Sequence, residues 1–316
     1  MVRLSIIIPI YNGAAHLRKL IQTIEAFTFL DFECIFVDNN STDGSMILMN
    51  KLLGEVKFKY TILTEKKQGA GHARNWGIKH ANGEFLAFLD CDDIILPRKF
   101  EKDMDILSNN DIDFVFCRTS RIYDNGYTIK HPNDGIKEGE NDPPSLGYVW
   151  LKSYFKLPGT GSLVVRKEII NHLGGFNTSL TGEDAFLFIK LGLFHKGFFY
   201  NEINFHYLRH RQSTITKSNK KESGGGIRYL ELRKNLYSDS QIAKDETALA
   251  FLEKQITIDL YKLNFIGEEI QIHLKDPRLK NFKPSSLLFN PVNSIINILV
   301  PKVKYNPIYQ YYIRFM

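Results

Sequence analysis

Three aspartates fall within four consecutive positions in Asp90-Cys91-Asp92-Asp93, directly after the apolar run Phe85 to Leu89. Carboxylates this close raise one another's proton affinity, and the usual remedy is a bound cation. Mg2+ or Mn2+ suits them, because hard divalent ions prefer oxygen donors and complete their shells with phosphate and water. Helix capping would account for Asp92 and Asp93, but not for Asp90 or for Asp38 at the end of another apolar run.

The backbone has to bring such groups together. Leu4 to Ile8, Phe32 to Val37, Tyr60 to Leu63, Phe85 to Leu89 and Phe114 to Cys117 are short apolar runs separated by helical stretches. Near-continuous apolar strands of this kind predict a mainly parallel sheet with both faces covered by helices. Ligands of such sheets bind outside the C-terminal strand ends. Pro9 to Asn12, Asp38 to Asp43 and Asp90 to Asp93 therefore share one cleft.

Helices are expected from the Ser41-Thr42-Asp43 caps through Leu53, over Gly71 to Ala81, and after Pro97. Asn125-Gly126 marks a turn, and the polar stretch from there to Pro143-Pro144 reads as a hairpin or loop. Beyond it, Gly161 to Arg166 reads as a strand, Lys167 to Leu173 as a short helix and Glu183 to Leu193 as a helix with an apolar face.

A dinucleotide-binding enzyme would share the alternation but not the first loop. Pro9-Ile10-Tyr11-Asn12-Gly13-Ala14-Ala15-His16 lacks G-x-G-x-x-G, and there is no P-loop. Without a glycine cradle, a diphosphate needs its charge neutralised by metal, which the Asp-x-Asp segment can hold.

The 316 residues, 43% hydrophobic, suffice for one large domain and an appendage. A formal charge of +6 could favour phosphate-bearing ligands or an anionic membrane face, and is too small and dispersed to argue for nucleic acid. Cys34, Cys91 and Cys117 are too widely spaced for a disulfide framework and fit reduced thiols. With no charged leader or cleavage site before Leu4, the expected location is cytoplasmic. A linker at Lys217 to Gly226 suggests a domain over 1–216 and a helical C-terminal region over 217–316. The last thirty residues mix Ile295 to Val300 with Lys302, Lys304, Arg314 and several tyrosines, so this region could lie on a membrane surface, pack back on the body, or mediate dimerisation.

At these residues the sequence resembles the family 2 inverting glycosyltransferases of GT-A fold. The matching stretches are Ser5 to Asn12, Val37 to Gly44, Gly69 to Gly77 with Ala73-Arg74-Asn75, Gly83 to Asp93, and Gly182-Glu183-Asp184. The resemblance implies an α/β GT-A fold and transfer of a sugar from a nucleotide-diphosphate donor, most often uridine-based. The acceptor would be a hydroxyl of a glycan or lipid-linked glycan, as in cell-surface polysaccharide synthesis.

Roles carry over by position. Pro9, Tyr11 and Asp38 would hold the nucleoside, Arg74 the base or phosphate, and Asp90 the ribose or sugar. Asp92, with His210 of the Tyr207 to Ser213 segment, would bind Mn2+ or Mg2+, which stabilises the departing diphosphate. Asp93 would assist, Asp184 would be the base that takes the acceptor's proton, and Glu183 would orient its neighbours. The small residues around Gly159 and Thr160 would let an acceptor approach, whereas His206 reads as an ordinary partly buried histidine. Two other classes compete: a sugar nucleotidyltransferase, which would carry a Gly-rich signature after the first strand, and a sugar-nucleotide-binding protein of the same fold without turnover.

Overall fold

Apolar, β-branched and aromatic runs form the strands that organise the chain. The computed structural model describes residues 2–108, 111–178, 182–209, 224–262 and 275–282. In chain order they form β1 (Leu4–Ile10), α1 (Leu17–Glu25), β2 (Phe32–Asp38), α2 (Ser45–Leu53), β3 (Lys59–Thr64), α3 (Ala70–His80), β4 (Phe85–Phe88) and β5 (Ile94–Ile95). There follow α4 (Lys99–Leu107), β6 (Phe114–Tyr123), β7 (Thr128–Lys130), β8 (Gly139–Asn141), α5 (Ser145–Lys152), β9 (Leu163–Arg166), α6 (Lys167–Leu173), α7 (Glu183–Phe194) and β10 (Gly197–Arg209). Two further helices are α8 (Gly224–Ser238) and α9 (Glu246–Lys262). The chain divides into two compact units, Met1–Glu222 and Ser223–Met316.

The first unit is built on a ten-stranded sheet in the order β3-β2-β1-β4-β9-β6-β10-β5, with β7 on β6 and β8 on β10. The ladders β1–β2, β1–β4, β2–β3 and β6–β10 are parallel, and each is longer than any antiparallel one. This mainly parallel sheet between helices is the α/β architecture that the resemblance implies. β9 runs against both β4 and β6. Its beginning, not its end, therefore lies at the edge where β1, β2 and β4 finish.

Sequence reading placed most elements, with shifts at their ends. The strand expected from Gly161 begins at Leu163, because Thr160–Ser162 closes a 3-10 turn. α2 begins at Ser45 rather than at the Ser41 to Asp43 caps, after Gly44 in the left-handed region. α4 starts two residues beyond Pro97. The polar stretch after Asn125-Gly126 contains β7 and β8.

The core is packed between sheet and helices. α3 approaches β1 so closely that a Cβ on Gly77 would stand 2.5 Å from Ile7 Cγ2, so glycine alone fits without a shift. Inside the sheet's helical cover, Lys99 and Asp103 are fully buried one turn apart at 2.5 Å, and the Tyr200 hydroxyl donates to Asp103 at 2.8 Å. Burying charges is tolerated because each meets a partner.

In the second unit, Leu230 and Leu236 of α8 and Leu252 and Ile256 of α9 are buried. Glu231, Lys234, Asp276 and Arg278 form an ion-paired cluster there, and Arg233 pairs with Asp259. Among the described residues no helix is long and apolar enough to cross a membrane. The expected membrane-surface segment at the C-terminus lies outside them.

Candidate active site

The loops after β1 and β2 are tied to each other by side chains. Asn12, at φ 49°, donates its amide to Ser41 Oγ at 3.1 Å and accepts from the Thr42 amide at 2.7 Å. Gly13 donates to Ser45 Oγ at 2.9 Å and Ala14 to Asp43 Oδ2 at 3.0 Å. Desolvation pushes the Asp43 carboxyl upward, but the hydrogen bonds it accepts from the Ser45 hydroxyl and amide and from the Ala14 amide outweigh it and hold it below the usual carboxylate range.

Pro9 is tolerated inside a central strand because the β1–β4 ladder has already ended at Ile7, so its missing N–H leaves no β4 carbonyl unmet. Tyr11 projects from this frame with 56% of its surface exposed. Asp38, buried at the end of β2, accepts from the Ser41 amide at 3.2 Å. Asn39 then fixes the loop before α3: it donates to the Glu65 and Lys67 carbonyls, each at 2.8 Å, and accepts from the Gly69 amide at 2.7 Å.

At the end of β4 the Asp93 amide turns back to the Asp90 carbonyl at 3.1 Å, so Asp90 to Asp93 form a tight acidic turn. Asp93 is buried and accepts from the Leu208 amide of β10 at 3.0 Å. Burial, then the charges of Asp92 and Asp90, push its carboxyl well above the ordinary range. The Cys91 sulfur lies where a Cβ on Gly13 would come within 2.8 Å, which packs this turn against the first loop.

Arg74 joins the acidic turn to α7. Its Nη2 meets Asp90 Oδ1 at 2.7 Å and its Nη1 meets Glu183 Oε1 at 2.5 Å, while the guanidinium lies 5.2 Å from the Phe176 ring centroid. Only 4% of Arg74 is exposed. The sequence reading gave this side chain to the donor; here it spans two carboxylates. Its neighbour Asn75 clasps Phe176 by donating to the carbonyl and accepting from the amide, both at 2.8 Å. Gly71 adds a third tie, since a Cβ there would meet the Asn177 carbonyl at 3.0 Å and Glu183 Cγ at 3.3 Å.

Asp184 sits in the first turn of α7 and accepts from the Ala185 amide at 2.8 Å. Burial, then the adjacent Glu183 charge, push its carboxyl up to about 6 against the opposing pull of Arg74. A carboxyl so poised is ionised at neutral pH and basic enough to receive a proton. The chain thus brings Asp90, Arg74, Glu183 and Asp184 together, with Asp93 one turn of backbone from Asp90.

Gly159 has φ 87° and Thr160 is buried, and a Cβ on the following Gly161 would lie 2.2 Å from the Phe205 ring, so packing already demands a small residue there. His206 is half-buried with Nδ1 2.6 Å from Ser120 Oγ. His210 lies outside the described residues. Asn39, Asn75 and Phe176 escaped the sequence reading as organisers of the site; Asn39, inside Val37 to Gly44, and Asn75, inside Ala73-Arg74-Asn75, carried a signal, and Phe176 carried none. Among the described residues no three His, Cys, Asp or Glu side chains are gathered to hold a metal by themselves. The donor chemistry of Asp90 to Asp93, three carboxylates carried by one tight turn, nevertheless fits a hard ion that brings its own phosphate ligands.

The profile of Glycosyl transferase family 2 matches residues 5–174. An uncharacterised glycosyltransferase of Nostoc sp. is 30% identical over 172 residues, 53% of this chain and 52% of that one, so the chain spans about half the length of that relative. A GalNAc(5)-diNAcBac-PP-undecaprenol beta-1,3-glucosyltransferase of Campylobacter jejuni is 28% identical over 248 residues, 78% of each chain. Among solved structures, a TarS fragment of S. aureus in complex with UDP-GlcNAc superposes with a TM-score of 0.62 at 17% identity, covering 88% of this chain and 79% of that one. The mannosyltransferase PcManGT of Pyrobaculum calidifontis, in complex with GDP-Man and Mn2+, gives 0.57 at 17% identity, covering 98% and 82%.

Proposed function

The chain belongs to glycosyl transferase family 2, and from that premise we propose that it is an inverting, metal-dependent glycosyltransferase using a nucleotide-diphosphate sugar, with UDP as the nucleotide. Tyr11 and Asp38 hold the nucleoside, Asp90 the ribose or sugar, and Asp92 a Mn2+ or Mg2+ ion whose chemistry is to neutralise the departing diphosphate. Asp184 accepts the acceptor hydroxyl's proton as that oxygen attacks the anomeric carbon. The observation that carries this reading is the double ion pair of Arg74, which ties Asp90 on the donor side to the residue preceding Asp184.

The solved neighbours, bound to UDP-GlcNAc and to GDP-Man with Mn2+, support a nucleotide-sugar donor and a divalent ion. The Campylobacter relative, named for an undecaprenol diphosphate-linked glycan, supports a lipid-linked glycan acceptor and a place in cell-surface polysaccharide synthesis.

Calorimetric titration of nucleotide-diphosphate sugars with and without Mn2+, on the native chain and on Asp92→Ala, tests the donor side. Metal-dependent binding of one donor, lost in Asp92→Ala, is the expected result. Binding of that donor at equal strength without metal would overturn the metal-dependent reading.

A further inference from the structure

The β6–β7 hairpin rises from the floor of the site. Leu208, whose amide holds Asp93, stands in register with Ile122 of β6, and Ile122 in turn with Thr128 of β7. The hairpin is closed where the Tyr123 amide donates to the Tyr127 carbonyl at 2.9 Å, and its two tyrosine rings lie 6.1 Å apart on one side. Residues two apart share a face of a strand, so Arg121 and its partner Ile129 belong to that side as well.

The base of the same face is covered by the segment that carries Phe155. Thr119 Oγ1 donates to the Pro158 carbonyl at 2.6 Å, and the His131 amide to the Thr119 carbonyl at 2.8 Å. The backbone of Lys156 and Leu157 lies beside the His131 ring. This puts Phe155 and Lys156 next to the hairpin.

Tyr127 is 61% exposed, Ile129 39% and Phe155 65%; Tyr11, Leu30, Ile47 and Tyr60 are the other large apolar groups left in water among the described residues of the unit, and none of them belongs to the hairpin or to the segment beside it. Arg121 stands on this face of the hairpin, whose single acid is Asp124, and beside it lies Lys156, whose ammonium donates to the Asp134 carbonyl at 2.6 Å. Aromatic and aliphatic tips interleaved with lysine and arginine form the composition that partitions into the headgroup region of an anionic bilayer, where rings bury their apolar part and cations meet phosphate.

We propose that this face, made by Tyr123, Tyr127, Ile129 and Phe155 with Arg121 and Lys156, rests on an anionic lipid surface beside the active site. The inference builds on the lipid-linked acceptor proposed above. Such an acceptor would then meet the cleft from the membrane plane, with its lipid in the leaflet and its sugar reaching Asp184.

Co-sedimentation of the full chain with phosphatidylcholine vesicles, with and without phosphatidylglycerol, tests the contact. The native chain is expected to pellet with the anionic vesicles. Tyr127→Ser/Ile129→Ser/Phe155→Ser should partition at least about tenfold more weakly. Arg121→Gln/Lys156→Gln should lose the preference for phosphatidylglycerol while keeping residual binding. A triple variant that pellets like the native chain would place any membrane contact elsewhere, and a native chain that ignores anionic vesicles would equally end the proposal. Donor titration of the same triple variant, expected to match the native chain, reports intact folding and keeps failure of the membrane contact separate from failure of the transferase reading.

Discussion

The guanidinium of Arg74 and the carboxylate of Glu183 meet at 2.5 Å across 109 positions of sequence. Because Arg74 is buried and also holds Asp90, removing it strands two acids at once. Arg74→Met is expected to destabilise the protein by about 3 kcal/mol, the lower end for breaking a buried pair, since Asp90 is partly exposed and can rehydrate. Urea unfolding measures this. Arg74→Lys should recover part of the stability, because a point charge can meet only one of the two carboxylates well.

The raised Asp184 carboxyl sets a pH dependence with a definite sign. As the proposed base it would accept the proton in its ionised form, so kcat/KM should fall about tenfold per unit as pH drops below about 6 and level off above it. Glu183→Gln removes a like charge and leaves Arg74 acting on Asp184, so the acidic limb should move to lower pH. Asp184→Asn should abolish transfer at every pH while donor titration remains. A limb that stays in place in Glu183→Gln would exclude Asp184 as its source.

Tyr11 offers an exposed ring on a rigid loop. If it stacks on the nucleobase, Tyr11→Ala should weaken donor binding by about 1 kcal/mol or more, and Tyr11→Phe should not. Calorimetry on the two variants separates ring from hydroxyl.

Packing against Phe205 explains the small residue at 161 without any acceptor. Gly161→Ala should lower the unfolding free energy by about 1–3 kcal/mol, because the added methyl meets a ring in a filled core. Adding Phe205→Leu should restore much of that loss in thermal unfolding. Persistent loss of transfer in the restabilised double variant would point back to an acceptor contact near Gly159 and Thr160.

The apolar runs that became β1, β2, β4 and β6 were legible because both faces of these strands are buried, leaving an unbroken hydrophobic signature. The acidic turn and the loops after β1 and β2 could be grouped before any coordinates, since parallel strands finish at one edge. The direction of β9 could not: antiparallel and parallel central strands carry the same residues, and Leu163–Arg166 gives no hint of which it is. The hairpin expected after Asn125-Gly126 is the β6–β7 pair, whereas β8 gave no signal of its own because it is three residues of Gly, Glu and Asn. The partners of Arg74 were out of reach for a different reason. An arginine on a helix looks alike whether it faces solvent or spans two acids, and only the folded chain puts Glu183 beside it.

The side-chain ties between the loops after β1 and β2, through Asn12, Asp43 and Ser45, bear on how a ligand is chosen. Loops already fastened to one another need little ordering when the nucleoside arrives, so little conformational entropy is lost at that end of the site. On the proposed function, discrimination among nucleosides would then come from the shape of a preformed seat rather than from a closure that the right ligand induces. A mismatched base would be rejected at the moment of contact.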